Sequence, residues 1–151
     1  MMMDANHTPP VFIDTNILLA ATDLGRPHHG ACKTLLERFM GGQEAAFISG
    51  QILREYAVVA TRPEEQNGLQ LSPNAVADNL NTFSSFLFFA DESQAVASRF
   101  LELIEQFQLK GKRIHDANIA ATMMTHGISR IHTYNAADYA PFSNIECITP
   151  K

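Results

Sequence analysis

The chain has 151 residues, of which 46% are hydrophobic, and sixteen acidic residues against eleven lysines and arginines give it a net charge of −5. This length favours a single domain whose core is large enough to need no disulfide or metal to hold it together. The apolar content excludes a disordered chain, and the negative charge argues against a protein that binds nucleic acid through a broad basic patch.

The two ends of the chain carry no targeting signal that the sequence reveals. Residues 1–10, MMMDANHTPP, are expected to form a flexible leader before one domain that spans residues 11–151. The leader lacks the basic start and the apolar stretch of a secretory signal, and five-residue apolar runs such as 86–90 are too short to span a membrane. Cys32 and Cys147 have no CxxC spacing, which is typical of free thiols in a cytoplasmic protein.

The first half of the chain predicts two short strands and three helices. Short apolar runs predict the strands, and apolar residues at helical spacing predict the helices. Gly25 and Pro27 end the first helix, whereas Ser49 is a favourable N-cap for the third. In chain order, the predicted elements are a strand at 11–13, helices at 16–22 and 28–40, a strand at 45–48 and a helix that follows Ser49.

The second half continues the alternation after a polar loop at 62–71. Ser72 and Pro73 predict an N-cap and the first residue of the next helix. This helix leads into a strand at 86–89, and then come a helix at 93–107, a basic turn at 110–113, a helix at 116–126 and strands at 128–134 and 145–148. The alternation predicts a three-layer α/β/α fold around a central, mainly parallel sheet of about five strands.

Four phenylalanines crowd the region of the third strand: Phe83, Phe86, Phe88 and Phe89. Packing in the core and the sheet is the expected role of these rings. The alternative is that part of the segment forms a groove for an apolar helix of a partner, or a dimer contact.

Four acidic residues lie where a catalytic site of an α/β protein would need them. Asp14 and Asp138 follow predicted strands, and ligands bind at the carboxyl ends of such strands. Glu55 lies at the edge of the apolar stripe of the third helix, and Asp116 lies on the buried face of a later helix, in its first turn. Each position also has an ordinary explanation: a helix cap for Asp14 and Asp116, a boundary residue for Glu55, and a turn for Asp138.

Together, these carboxylates predict a cation site. Their repulsion in a partly desolvated pocket would cost on the order of several kcal/mol without a compensating positive charge. Oxygen ligands suit Mg²⁺ or Mn²⁺ better than zinc, and the six histidines show no zinc-binding spacing. Such a cation would promote metal-assisted hydrolysis of a phosphodiester.

The order and spacing of four motifs resemble the PIN domain over residues 11–149. The motifs are Asp14-Thr15-Asn16 after a strand, Arg54-Glu55-Tyr56, His115-Asp116-Ala117, and the segment from Thr133 to Tyr139. Residues 62–73 are similar to the VapC-type branch of this family, the toxins of bacterial toxin–antitoxin pairs. The resemblance implies a Mg²⁺- or Mn²⁺-dependent endoribonuclease that forms a homodimer, does not bind membranes and is silenced by a cognate antitoxin.

The resemblance also implies roles for individual residues. Asp14, Glu55 and Asp116 match the first three catalytic acids of the family. At the fourth position many members have an acid where this chain has Asn135, so Asp138 is taken as the fourth catalytic acid. The implied metal ligands are Asp14, Asp116 and Asp138, and the implied supporting residues are Thr15, Asn16, Thr133 and Asn135.

Basic residues near these motifs are candidates for RNA binding: Arg54, Arg62, Lys110, Lys112 and Arg113. They would contact phosphates beside the metal. The alternative for the lysines is a solvated turn before a helix.

Three other functions remain open from the residues alone. An aspartate-nucleophile phosphatase would use Asp14, but it would want an acid where this chain has Asn16. A non-catalytic PIN-like module would bind RNA or a partner without cutting. A solitary RNA-processing nuclease would cut RNA without an antitoxin.

Overall fold

A parallel sheet of five strands forms the centre of the structure, a computed structural model that describes residues 8–151. The strands are β1 (Val11–Ile13), β2 (Ala46–Ile48), β3 (Phe88–Phe89), β4 (Arg130–His132) and β5 (Glu146–Ile148). They lie in the order β3-β2-β1-β4-β5, and every neighbouring pair is parallel. The prediction of a parallel sheet is confirmed. Most of the predicted leader, residues 1–7, lies outside the described residues.

Six helices connect the strands. They are α1 (Thr15–Thr22), α2 (His29–Met40), α3 (Gly50–Thr61), α4 (Pro73–Phe86), α5 (Gln94–Phe107) and α6 (Arg113–Thr125). The chain runs outwards from β1 to β3 and then returns to β4 on the other side of β1. Because crossovers between parallel strands are right-handed, α1–α4 lie on one face of the sheet and α5–α6 on the other. This gives the predicted α/β/α arrangement.

The reversal of direction falls between β1 and β4, and this position determines where a ligand can bind. In open parallel sheets the crevice lies outside the carboxyl ends of the strands at such a switch point. Asp14 directly follows β1, and Thr133 directly follows β4. The fold therefore places the first predicted acid at the expected crevice.

The core is centred on β1, whose residues Val11, Phe12 and Ile13 are fully buried. The edge strand β3 is different, since Phe88 is 56% exposed and Phe89 is 44% exposed. The expectation of core packing is wrong for these two rings because β3 lies at the edge of the sheet, whereas the expectation of packing in the sheet is confirmed for Phe88, whose ring lies 5.4 Å from that of Phe47 on β2. Phe83, by contrast, is buried on α4.

Several predicted boundaries shift by two or three residues. Helix α6 begins at Arg113 rather than at Asp116, because the basic turn continues directly into the helix. Residue 86 ends α4, so β3 begins later than expected, and β4 covers 130–132 instead of 128–134.

The predicted loop at 62–71 contains a short 3-10 turn, Glu64–Gln66, and folds back on itself. The N–H groups of Gly68 and Gln70 donate to the carbonyls of Pro63 and Arg62. A side chain at Gly68 would overlap Arg62, so only glycine fits this close turn.

Within residues 8–151, no helix is long and apolar enough to cross a membrane. Cys32 and Cys147 are both free thiols, as expected.

Candidate active site

Asp14 is the most enclosed of the four predicted acids, with 7% of its surface exposed. Its Oδ1 accepts the Thr15 N–H at 2.8 Å, which makes it the N-cap of α1. Its Oδ2 accepts the hydroxyls of Thr133 at 2.8 Å and Tyr139 at 3.1 Å. Burial raises the pKa of Asp14, although these hydrogen bonds act in the opposite direction. The capping and functional interpretations of this residue are therefore both compatible with its geometry.

Asn16 and Thr133 form a polar frame around Asp14. Asn16 Nδ2 lies 3.5 Å from Asp14 Oδ2 and 3.4 Å from Thr133 Oγ1, and Asn16 Oδ1 accepts the Tyr134 N–H. Asn135 takes part through its backbone, since its N–H donates to Thr133 Oγ1 at 2.9 Å. This frame joins the start of α1 to the segment that follows β4.

Glu55 is held by donors on both carboxylate oxygens. The Thr15 hydroxyl donates to Oε2 at 2.8 Å, and the amide of Gln51 donates to Oε1 at 2.8 Å. Thr15 therefore supports the second acid with its side chain and the first acid with its backbone. As a result, α1 and α3 present Asp14 and Glu55 to the same crevice.

Asp116 is half-buried in the first turn of α6, and Asp138 is exposed on a short 3-10 turn, Ala136–Tyr139. The pKa of Asp116 is raised to about 6, first by burial and then by the charges of Asp138, Asp14 and Glu55. The other three predicted acids therefore lie within electrostatic range of Asp116. The sequence interpretation of Asp116 as a helix cap is wrong, because Lys112 occupies the N-cap position of α6.

Within the described residues, His115 is the one positive group that offsets the raised pKa of Asp116, and lysines and arginines do not pair with these acids. In the described part of the chain, none of the four forms an ion pair with Lys or Arg. No group of three His, Cys, Asp or Glu residues among residues 8–151 forms a ready-made metal cage. Mg²⁺ does not need one, because it keeps several waters and is held by one or two carboxylates together with substrate phosphates. The donor set is therefore compatible with Mg²⁺ or Mn²⁺.

A cleft of about 710 Å³ opens beside Glu55 and Thr15. Arg54 and Arg62 lie on its lining, and the rest of its wall is largely apolar, including Val58 and Phe100. The predicted cluster of Lys110, Lys112 and Arg113 is exposed and lies outside this lining. The structure thus brings two of the five predicted basic residues to the cleft.

Four polar residues at the site were not predicted from the sequence: Gln51, Glu92, Asn118 and Tyr139. Gln51 lies one helical turn before Glu55, so the spacing could have placed it on the same face. Asn118 lies two residues after Asp116, a spacing that does not share a helix face, so no comparable signal pointed to it. For Glu92, which lies between β3 and α5, no local signal exists.

Comparisons with known proteins agree with this architecture. Residues 11–141 match the family model described as PIN domain. Ribonuclease VapC48 of Mycobacterium tuberculosis is 27% identical over 139 residues, which cover 91% of this chain and 94% of that protein.

Solved structures of other proteins also have a similar fold. A toxin–antitoxin complex from Klebsiella pneumoniae has a chain that is 25% identical, with a TM-score of 0.64 and coverage of 93% of this chain and 98% of that one. VapBC2 from Rickettsia felis, bound to a DNA fragment from its promoter, has a TM-score of 0.68 at 19% identity, covering 94% and 99%.

Proposed function

This chain belongs to the PIN domain family, and on that basis we propose that it is a metal-dependent endoribonuclease and the toxin of a toxin–antitoxin pair. The observation that carries the proposal is the grouping of Asp14, Glu55, Asp116 and Asp138 near enough for their charges to raise the pKa of Asp116, with none of the four paired to a lysine or arginine among residues 8–151. Kinship with a ribonuclease and with a toxin–antitoxin complex supports the substrate and the partner.

Different residues have different roles at the crevice. Thr133 and Tyr139 donate to Asp14 Oδ2 and so hold the carboxylate in one orientation. Tyr139 remains a donor, because burial and the Asp14 charge raise its pKa far above its ordinary value. Thr15 donates to Glu55, and the arginines on the cleft wall would bind RNA phosphates.

We assign the cation to Asp14, Asp116 and Asp138, of which one or two would contact it directly while water and substrate phosphates complete its coordination. When bound, a divalent cation polarises a phosphoryl oxygen and lowers the pKa of a water molecule. Burial, and then the charges of the neighbouring carboxylates, raise the pKa of Asp116 to about 6. A bound cation would favour its ionised form.

The partners follow from the same kinship. We place the protein in the cytoplasm with its RNA substrate, and we propose that it forms a homodimer and binds a cognate antitoxin. The apolar wall of the cleft and the exposed rings of β3 are surfaces that protein partners could cover. Light scattering of the purified chain, alone and with the product of a neighbouring small gene, tests both assemblies.

The activity is tested by incubating the purified protein with RNA and Mg²⁺ or Mn²⁺. The wild type should cut the RNA, and Asp14→Asn should abolish cutting, because the amide removes the charge that the site uses. Asp78→Asn is the matched control, since Asp78 is an exposed acid on α4. Equal cleavage by Asp14→Asn, or full activity in EDTA, would overturn the proposal.

Two further variants decide which residue completes the site. Asp138→Asn should reduce cleavage at limiting Mg²⁺ by roughly 10–100-fold, whereas Asn135→Ala should have a smaller effect because Asn135 acts through its backbone N–H. RNA binding that persists without any cleavage under either metal would indicate a non-catalytic module instead.

A further inference from the structure

We propose that Gln51 is a positioning residue whose side-chain amide holds the Glu55 carboxylate and ties α3 to the first turn of α6. In this role it sets the placement of Glu55 relative to Asp116. The inference rests on the proposed nuclease function, because it assigns a supporting residue to that same site.

Every polar atom of the Gln51 amide has a partner. Nε2 donates to Glu55 Oε1 at 2.8 Å and to the His115 carbonyl at 3.0 Å, and Oε1 accepts from Asn118 Nδ2 at 2.7 Å. The ionised Glu55 carboxylate and the His115 carbonyl can only accept hydrogen bonds, so the amide nitrogen must face them and the orientation of the amide is fixed. Gln51 is only 5% exposed, so these bonds are shielded from competing water.

The same amide connects two helices that carry acids. Gln51 and Glu55 are one turn apart on α3, while His115 and Asn118 lie on α6, on either side of Asp116. A displacement of α6 relative to α3 would stretch the bonds to His115 and Asn118. The amide therefore couples the placement of Glu55 to that of the turn bearing Asp116.

Glu92 completes the arrangement from a third segment. Its Oε2 accepts the backbone N–H of Gln51 at 2.8 Å, and its Oε1 accepts from Asn118 Nδ2 at 2.7 Å. Gln51 is thus held through both its main chain and its side chain, and Asn118 bridges Gln51 and Glu92. Such a closed network restricts Gln51 to one rotamer.

The test uses Gln51→Leu, which keeps the approximate size of the side chain and removes its hydrogen bonds. We expect kcat for RNA cleavage to fall by roughly 10–100-fold with little change in KM. Gln106→Leu, the same substitution at an exposed position on α5, should leave both parameters unchanged. Asn118→Ala is a milder second variant, expected to lower kcat by roughly tenfold, in case Gln51→Leu does not fold.

Two readouts separate positioning from general structural support. In a Glu55→Gln background, Gln51→Leu should cause little further loss of the single-turnover rate, because the two residues act as one unit. Losses that multiply in the double variant would overturn the proposal. Hydrogen exchange of the α6 first turn, residues 113–118, should become faster in Gln51→Leu and stay unchanged in Gln106→Leu.

Hydrogen exchange also distinguishes the two proposals. If the wild type leaves RNA intact, the proposed function is wrong, and exchange then decides whether Gln51 ties α3 to α6. If both Gln51→Leu and Asn118→Ala leave the exchange of residues 113–118 unchanged, the tie does not exist and the positioning role is overturned.

Discussion

Ionisation of Asp116 destabilises the folded protein at neutral pH. Its pKa is raised to about 6 in the folded state from an ordinary value of 3.8. A raised carboxyl pKa means that stability is fully present below pH 3.8 and is lost as the pH rises through about 6. We therefore expect Asp116→Asn to raise the free energy of unfolding at pH 7 by about 1–2 kcal/mol, after allowance for solvent screening.

Urea unfolding of both proteins at pH 4 and pH 7, in EDTA, measures this effect. The difference between the free energies of unfolding of the wild type and the variant should be small at pH 4 and larger at pH 7. Adding Mg²⁺ should stabilise the wild type more than Asp116→Asn, because only the wild type keeps all three of the proposed ligands. A variant that is less stable than the wild type at pH 7 in EDTA would contradict the interpretation.

His132 gives the opposite pH dependence. Its side chain is buried beside Phe39, neither ring nitrogen has a partner among the described residues, and burial lowers its pKa to about 4. The unfolded state therefore binds the proton first, and stability falls as the pH drops from 6.5 to about 4. We expect this residue to account for at most about 3 kcal/mol of acid destabilisation.

His132→Phe tests this expectation because it fills the same space without a titrating group. Its free energy of unfolding should depend less on pH between 4 and 6.5 than that of the wild type. His126→Phe, at an exposed position, is the control. Parallel pH profiles for His132→Phe and the wild type would rule out a role for His132.

The sequence locates individual site residues where local patterns carry the information. Asp14 and Asp138 follow strands, and Glu55 and Asp116 interrupt apolar helix faces, so strand ends and helical periodicity are sufficient to propose them. Glu92 contacts Gln51, although the two residues are 41 positions apart in the sequence. Periodicity carries no information about such a contact, so Glu92 can be identified only from the folded structure.

At the scale of elements, the N-terminus of α3 shows how tertiary structure overrides a local signal. Ser49 occupies the N-cap position, as predicted, but its hydroxyl makes no capping bond and has no partner among the described residues. Glu92 accepts the Gln51 N–H in its place. We expect Glu92→Ala to lower the free energy of unfolding by about 1–2 kcal/mol and Ser49→Ala to change it little.

Urea unfolding of the two variants at pH 7 provides the comparison. A larger loss for Ser49→Ala than for Glu92→Ala would show that the local cap, rather than the remote carboxylate, stabilises α3.

Element order and type follow from the sequence, whereas boundaries and exposure do not. Alternating strands and helices were predicted in the observed order, because short apolar runs are typical of strands and apolar residues at helical spacing are typical of helices. The exposure of Phe88 and Phe89 depends on which strand lies at the sheet edge, and the strand order is a property of the whole chain. Helix α6 starts early because the basic turn has helical geometry that composition does not reveal.

At the scale of the whole molecule, the proposed site accounts for most of the net charge of −5. Setting aside its four proposed acids leaves twelve acids against eleven lysines and arginines. The acidic balance therefore does not exclude nucleic acid as a ligand. It excludes binding through bulk positive charge.

This charge distribution predicts a weak salt dependence of RNA binding. Arg54 and Arg62 line the cleft, whereas Lys110, Lys112 and Arg113 lie outside it. For single strands, each phosphate contact contributes about −0.7 to the slope of log K against log salt. Two contacts from the cleft arginines give a slope of about −1.4, and contacts from all five basic residues would give about −3.5.

The measurement is RNA binding by the inactive Asp14→Asn variant over a range of KCl at constant Mg²⁺. Removing one cleft arginine, with Arg54→Gln or Arg62→Gln, should reduce the steepness of the slope by about 0.7. Lys110→Gln should leave it unchanged, because that side chain lies away from the cleft wall. A slope near −3.5 that becomes shallower in Lys110→Gln would instead place the RNA along the basic turn, and the cleft would then be free for a protein partner.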